Sequence, residues 1–124
     1  MRPARFLFPV VVFLMPAFHA SCGCECQLPA TEEPAYEAAT FEVEGGTAFM
    51  YGVIDHTTPA VVQALIGKHP EVTRIVMMDV PGSDDDPANL AASRLIRESG
   101  MTTVVPSNGV IASGGVDFFT AGAH

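Results

Sequence analysis

The feature that most constrains the fold is a continuous apolar run in the middle of the chain, VTRIVMMD at residues 72–79. Its length is that of a strand, and the lack of alternation indicates a strand that is covered on both faces, as in a parallel sheet. Parallel neighbours require crossover connections, which are usually helices. The run therefore predicts an α/β domain.

Helix signals stand on both sides of this run. Before it, Thr57 or Thr58 can cap a helix that begins at Pro59 and ends by Pro70. After it, Asp86 can cap a second helix that begins at Pro87 and stops at Gly100. Helical spacing predicts a buried side for each helix: Val61, Val62, Leu65 and Ile66 in the first, and Leu90, Ala91, Leu95 and Ile96 in the second.

Three further segments have the composition of strands. TAFMYGVI at residues 47–54 follows a Gly-Gly turn, with residues 40–44 as a candidate strand before it. Residues 101–105 and 110–112 are two short strands, and Ser113-Gly114-Gly115 opens a last helix. The order β-α-β-α-β-α predicts right-handed crossovers and a mostly parallel sheet.

The N-terminal residues indicate export. Two arginines precede an apolar run at residues 6–18, which is too short to cross a bilayer as a helix, and small residues follow it. Residues 1–21 are therefore predicted to be a secretory signal peptide. His19-Ala20-Ser21-Cys22 also loosely matches a lipoprotein signal, which would lipidate Cys22. An uncleaved anchor or a buried strand is the alternative.

Residues 22–40 are interpreted as an acidic linker that contains cysteine. Cys22, Cys24 and Cys26 are the only cysteines; their spacing is a poor match to a zinc site and leaves a local disulfide or an interchain cross-link open. The glutamates here come with no basic residue, which is typical of a solvated segment. The net charge of −8 argues against nucleic acid as a partner, because phosphates would be repelled.

In α/β folds, functional residues gather where the strands end at their carboxyl edge. Two loops qualify, residues 80–87 and residues 110–115, and adjacent parallel strands would bring them together. Ser113 lies in the second. It is either a nucleophile or the small residue of a strand-to-helix turn, and the G-x-S-x-G motif is only half present, because Ile111 occupies its first position.

The order of DVPGS at residues 79–83, IASGG at 111–115 and FFTAGA at 118–123 resembles the Clp protease/crotonase superfamily, including its signal peptide peptidase branch. The resemblance covers about residues 48–124. It implies that Ser113 is the nucleophile and that backbone N–H groups of Gly82, Ser83 and Gly114 stabilise an oxyanion. Ser83 stands where the family has a second glycine.

The general base departs from the family pattern. In the family a His or Lys follows the serine on a later strand, whereas only eleven residues follow Ser113 here. His124 falls too early and Lys68 is expected at the opposite edge of the sheet. His56 follows a strand and could approach the cleft, and His69 is interpreted as a helix C-terminal residue favoured by the helix dipole.

Acidic residues near the site favour a structural interpretation. Asp84, Asp85 and Asp86 are adjacent, so they point in different directions and suit a helix N-terminus better than a metal ion. A role for Asp84 toward a substrate stays open, and Asp117 is either a solvated residue or a cleft residue. No cofactor or metal is expected.

Together these features predict an incomplete Clp/crotonase-like domain over residues 41–124, belonging to an exported, periplasmic or lipid-anchored serine peptidase-like hydrolase. It would act on peptide or protein substrates if its base were supplied, and homo-oligomers are compatible with the family. The alternative is a non-catalytic envelope binding or structural module with the same fold. Export disfavours a crotonase-type acyl-binding protein, because coenzyme A thioesters are cytosolic.

Overall fold

A computed structural model describes residues 35–123. The predicted signal peptide, most of the predicted linker with Cys22, and His124 lie outside these residues. No helix among residues 35–123 is apolar over a stretch long enough to cross a membrane.

The described chain is an α/β fold with a mixed five-stranded sheet and three helices. In chain order the elements are β1 (Thr40–Glu44), β2 (Thr47–Tyr51), α1 (Thr58–Lys68), β3 (Arg74–Val80), α2 (Asp86–Ser99), β4 (Thr102–Val104), β5 (Val110–Ile111) and α3 (Gly114–Ala121).

The sheet is built around β3, the strand formed by the apolar run. The strand order is β1-β2-β3-β4, and β5 also pairs with β3. β3 is parallel to β2, β4 and β5, whereas β1 pairs with β2 in antiparallel orientation. The prediction of a mostly parallel sheet is thus confirmed. The predicted coverage of β3 on both faces is wrong, because burial alternates along the strand, with Ile75 and Met77 buried and the residue between them partly exposed. Pairing starts before β1, since Ala38 bridges to Val53 and Ala39 is buried.

Helix α1 begins where its sequence signals predict, but the cap works differently. Thr57 is the N-cap and makes no side-chain cap hydrogen bond. Instead the Thr57 amide and hydroxyl donate to Oδ1 of Asp55, at 2.9 and 2.7 Å. These hydrogen bonds, the one from the Thr57 hydroxyl above all, hold the pKa of Asp55 below its ordinary value. At the other end His69 is the C-cap, as predicted.

Helix α2 corrects two predictions. Its N-cap is Asp85 rather than Asp86, and the Asp85 carboxylate accepts a 2.9 Å hydrogen bond from the Ala88 amide. Its buried stripe contains Ala88, Asn89, Ala92 and Ile96, whereas Leu90 and Ala91 are exposed. The buried side of the helix is therefore rotated from the predicted one, and Leu90 faces solvent. Gly100 ends the helix in a left-handed conformation, φ 69°, as predicted.

The core lies between the sheet and the helices. Its largest completely buried side chains come from all layers and include Met50, Ile75, Met77, Ile96 and Phe118. Phe118 belongs to α3, so burial of this one ring fixes the helix that begins directly after Ser113. The core therefore positions the candidate site.

Candidate functional site

The two loops that the sequence singles out meet at the carboxyl end of β3. Asp79 and Val80 pair with Val110 and Ile111, and the Ala112 amide continues the ladder with a 3.1 Å hydrogen bond to the Val80 carbonyl. The prediction that parallel pairing brings the loops together is confirmed.

Ser113 lies directly against Gly82 in a shared cavity. A Cβ added to Gly82 would lie 3.4 Å from the Cβ of Ser113 and 3.8 Å from its Oγ. The cavity has a volume of about 210 Å³ and is lined by Tyr36, Val53, Pro81, Gly82, Ser83, Asp84 and Ser113. Three of the four residues predicted for nucleophile and oxyanion roles therefore line one cavity.

The backbone of Ser113 is in a rare conformation. Its φ is 48° and its ψ is −127°, and it is the one non-glycine residue with positive φ among residues 35–123. Such a conformation costs about 1–3 kcal/mol in a residue with a Cβ. Ser113 is the N-cap of α3, but its side chain makes no cap hydrogen bond. The structure therefore does not support a capping role for its hydroxyl.

Backbone donors are available beside Ser113. Gly114 is the first residue of α3, so its amide has no partner within the helix. Among residues 35–123, the amides of Gly82, Ser83 and Gly114 donate no hydrogen bond. Ser83 has no positive φ, so its replacement of a glycine imposes no special backbone angle. Free amides near an exposed hydroxyl are what an oxyanion site needs.

Gly114 is the residue against which Ser83, in the loop after β3, packs. A Cβ at this position would overlap Oγ of Ser83 and would lie 2.8 Å from Nδ2 of Asn89. Nδ2 of buried Asn89 donates a 3.0 Å hydrogen bond to the Gly114 carbonyl. Asn89 thus ties α2 to the start of α3. Sequence analysis missed it because its partner is 25 residues away, and it also missed Tyr36.

Gly114→Ala is expected to lower the free energy of unfolding by about 1–3 kcal/mol, because the new methyl group must displace Ser83 or Asn89. The measurement is urea denaturation followed by circular dichroism. Gly67→Ala is the matched control: nothing lies within 4 Å of a Cβ at Gly67, so this change in α1 should stabilise by about 0.5–1 kcal/mol. Equal effects of the two variants would contradict the packing described for Gly114.

Ser113→Gly is expected to raise the free energy of unfolding by about 1 kcal/mol. Glycine removes about 1–3 kcal/mol of backbone strain from the folded state. It also raises the entropy of the unfolded chain, which lowers stability by about 0.5–1 kcal/mol. Ser113→Ala keeps a Cβ and should stay within about 0.5 kcal/mol of the parent. A Ser113→Gly variant no more stable than Ser113→Ala would show that the turn is unstrained.

The other candidate residues lie apart from Ser113. Lys68 and His69 line a cavity with Phe41 and Val43, beside the strand starts, so the prediction that Lys68 lies at the opposite edge is confirmed. His56 follows Ile54, which bridges to Ser83, but His56 forms no hydrogen bond with Ser113. Within residues 35–123 no His or Lys does so.

The acidic residues are divided among different positions. Asp85 caps α2, and Asp86, in the first turn, accepts a 3.3 Å hydrogen bond from the Ser83 hydroxyl. Asp84 lines the Ser113 cavity, whereas Asp117 lines a groove between α2 and α3. Over residues 35–123 no three His, Cys, Asp or Glu side chains form a cluster suited to a metal ion.

Comparisons with protein families, with curated proteins and with solved structures found no match for the chain.

Proposed function

We propose that this protein is a serine hydrolase of the Clp protease and signal peptide peptidase type, with Ser113 as its nucleophile and peptide or protein chains as substrates. Amides of Gly82 or Ser83 on one side and of Gly114 on the other form its oxyanion site. The N-terminal sequence pattern supports export to the periplasm or attachment to a membrane through lipid at Cys22.

The observation that carries the proposal is the conformation of Ser113. A sharp strand-to-helix turn with positive φ exposes a serine hydroxyl above the end of a sheet, as in the strained turn that presents the nucleophile of many hydrolases. Glycine would adopt this turn at lower cost, and the hydroxyl does not cap the helix. A serine kept here at the expense of stability is explained by chemistry at its hydroxyl.

The general base belongs outside residues 35–123 in this proposal. A serine hydroxyl is a weak nucleophile until a neighbouring base takes its proton. His56 is exposed and Lys68 lies at the far edge, so neither occupies the position that the reaction requires. Outside this range His124 falls too early and His19 lies in the predicted signal peptide, so the base is expected from a second copy of the chain.

Reaction with a fluorophosphonate probe tests the proposal. The folded full chain is expected to form a covalent adduct, and peptide mapping by mass spectrometry is expected to locate it on Ser113. The urea-unfolded chain should remain unlabelled, since the turn and the oxyanion site exist only in the fold. A folded chain without an adduct, or with an adduct elsewhere, would contradict the proposal.

The second candidate is a non-catalytic envelope module that keeps this fold. The observation that favours it is that Ser113 has no hydrogen bond to a His or Lys within residues 35–123. On this account the cavity around Ser113 binds a peptide without cleaving it. The two functions differ in the probe experiment, because only the hydrolase forms the adduct.

A further inference from the structure

A groove between α2 and α3 combines basic, polar and apolar side chains. It has a volume of about 320 Å³ and is lined by Leu90, Ser93, Arg94, Arg97, Asp117, Thr120 and Ala121. The four residues from α2 follow a spacing that places them on one face of the helix. Sequence periodicity predicts that one residue of this face, Leu90, belongs to the core.

The apolar part of the groove is open to solvent. Leu90, which lines it, is 63% exposed. Leu90 is the most exposed large apolar side chain among residues 35–123. Exposed apolar surface bordered by polar side chains is typical of interaction sites.

The arginines of the groove have no ionic partners. Arg94 and Arg97 are exposed, and in residues 35–123 neither forms an ion pair or a hydrogen bond, although Asp117 lines the same groove. They are two of the four Lys and Arg residues in that range, in a chain whose net charge is −8. Two basic side chains thus share this groove with one carboxylate, Asp117, and neither forms an ion pair with it.

We propose that this groove binds an acidic peptide segment of a partner protein, in which carboxylates flank an apolar side chain. Residues three apart on a helix have Cβ atoms about 5–6 Å apart, so Arg94 and Arg97 are neighbours on its surface. Each guanidinium group can bind a carboxylate in bidentate geometry. Leu90 would pack on the apolar side chain between them. Charge complementarity selects an acidic occupant over a basic one.

The site is independent of the reaction at Ser113. None of the residues that line it lines the Ser113 cavity. The two regions are nevertheless neighbours, since α3 begins right after Ser113 and Asn89 precedes Leu90. A peptide bound here would lie beside the helix that presents the serine.

The test measures binding of a short fluorescein-labelled peptide that alternates Glu and Leu to the full chain, by fluorescence anisotropy. We expect saturable binding that weakens as salt rises, and at least about tenfold weaker binding to Arg94→Glu/Arg97→Glu. Leu90→Ser should weaken binding of the peptide without changing how steeply that binding falls as salt rises. The matched control is Lys68→Glu/Arg74→Glu, which changes net charge equally and should bind like the parent.

Four outcomes would overturn the proposal. In two of them the peptide binds equally to the two double variants, or a peptide with Lys in place of Glu binds the parent equally well. In the other two the peptide does not bind, and the chain instead binds phosphatidylglycerol vesicles or self-associates through the arginines. Circular dichroism confirms that each variant folds. Fluorophosphonate labelling should be the same in the arginine variant and the parent, so failure of this proposal is distinguishable from failure of the proposed hydrolase.

Discussion

Ser113→Ala is expected to abolish the fluorophosphonate adduct while leaving the circular dichroism spectrum unchanged. In the reaction the serine oxygen attacks the probe's phosphorus, the P–F bond breaks and fluoride leaves, while the hydroxyl proton goes to the base. Removal of that oxygen therefore removes the acceptor. Loss of the nucleophile in serine hydrolases lowers turnover by about 10⁶-fold. Any hydrolysis of peptide substrates should therefore fall below detection together with labelling.

Two serine controls separate this result from general reactivity. Ser107 is exposed in the loop between β4 and β5, and Ser107→Ala should label like the parent. Ser83→Ala removes a hydroxyl beside the same cavity but keeps the backbone N–H, so labelling should continue. Labelling lost in Ser83→Ala and kept in Ser113→Ala would move the nucleophile to Ser83 and refute the assignment.

A third variant locates the base. His56→Ala should label at the parent rate if the base lies outside residues 35–123, because His56 forms no hydrogen bond with Ser113. A large loss of labelling in this variant would assign the base to His56 instead. In that case a conformational change at the carboxyl ends of the parallel strands would have to bring the His56 imidazole to the Ser113 hydroxyl.

The overall fold could be predicted because its signals are local. Pro59 marks a helix start through its fixed φ, Gly100 marks a helix end because glycine adopts the left-handed conformation, and most of the run at residues 72–79 forms the central strand β3. The meeting of the two loops followed from the geometry of parallel strands, and the pairing of β5 with β3 confirms it.

What sequence analysis missed depends on contacts between distant residues. Periodicity predicts a core position for Leu90, but the buried side of α2 contains Ala88 and Ala92 instead. Asn89 is buried because its partner is the carbonyl of Gly114, which no local pattern reveals. The positive φ of Ser113 likewise has no local sequence signal, since such angles are rare in residues other than glycine.

Phe118→Ala is expected to cause a larger loss of stability than Gly114→Ala. The Phe118 side chain is completely buried, and removal of a buried phenyl ring costs about 3–5 kcal/mol. The free energy of unfolding of a domain is typically about 5–15 kcal/mol, and small domains lie at the low end of this range. The variant should therefore be close to its unfolding midpoint in water, as urea denaturation would show.

Val116→Ala is the matched control on the same helix. Val116 is 43% exposed, so its truncation should change the free energy of unfolding by no more than about 0.5 kcal/mol. Because α3 presents Ser113, labelling of Phe118→Ala should fall in proportion to the unfolded fraction, whereas Val116→Ala should label normally. A Phe118→Ala chain as stable as the parent would mean that α3 is not held by this ring, and the position of Ser113 would then need another cause.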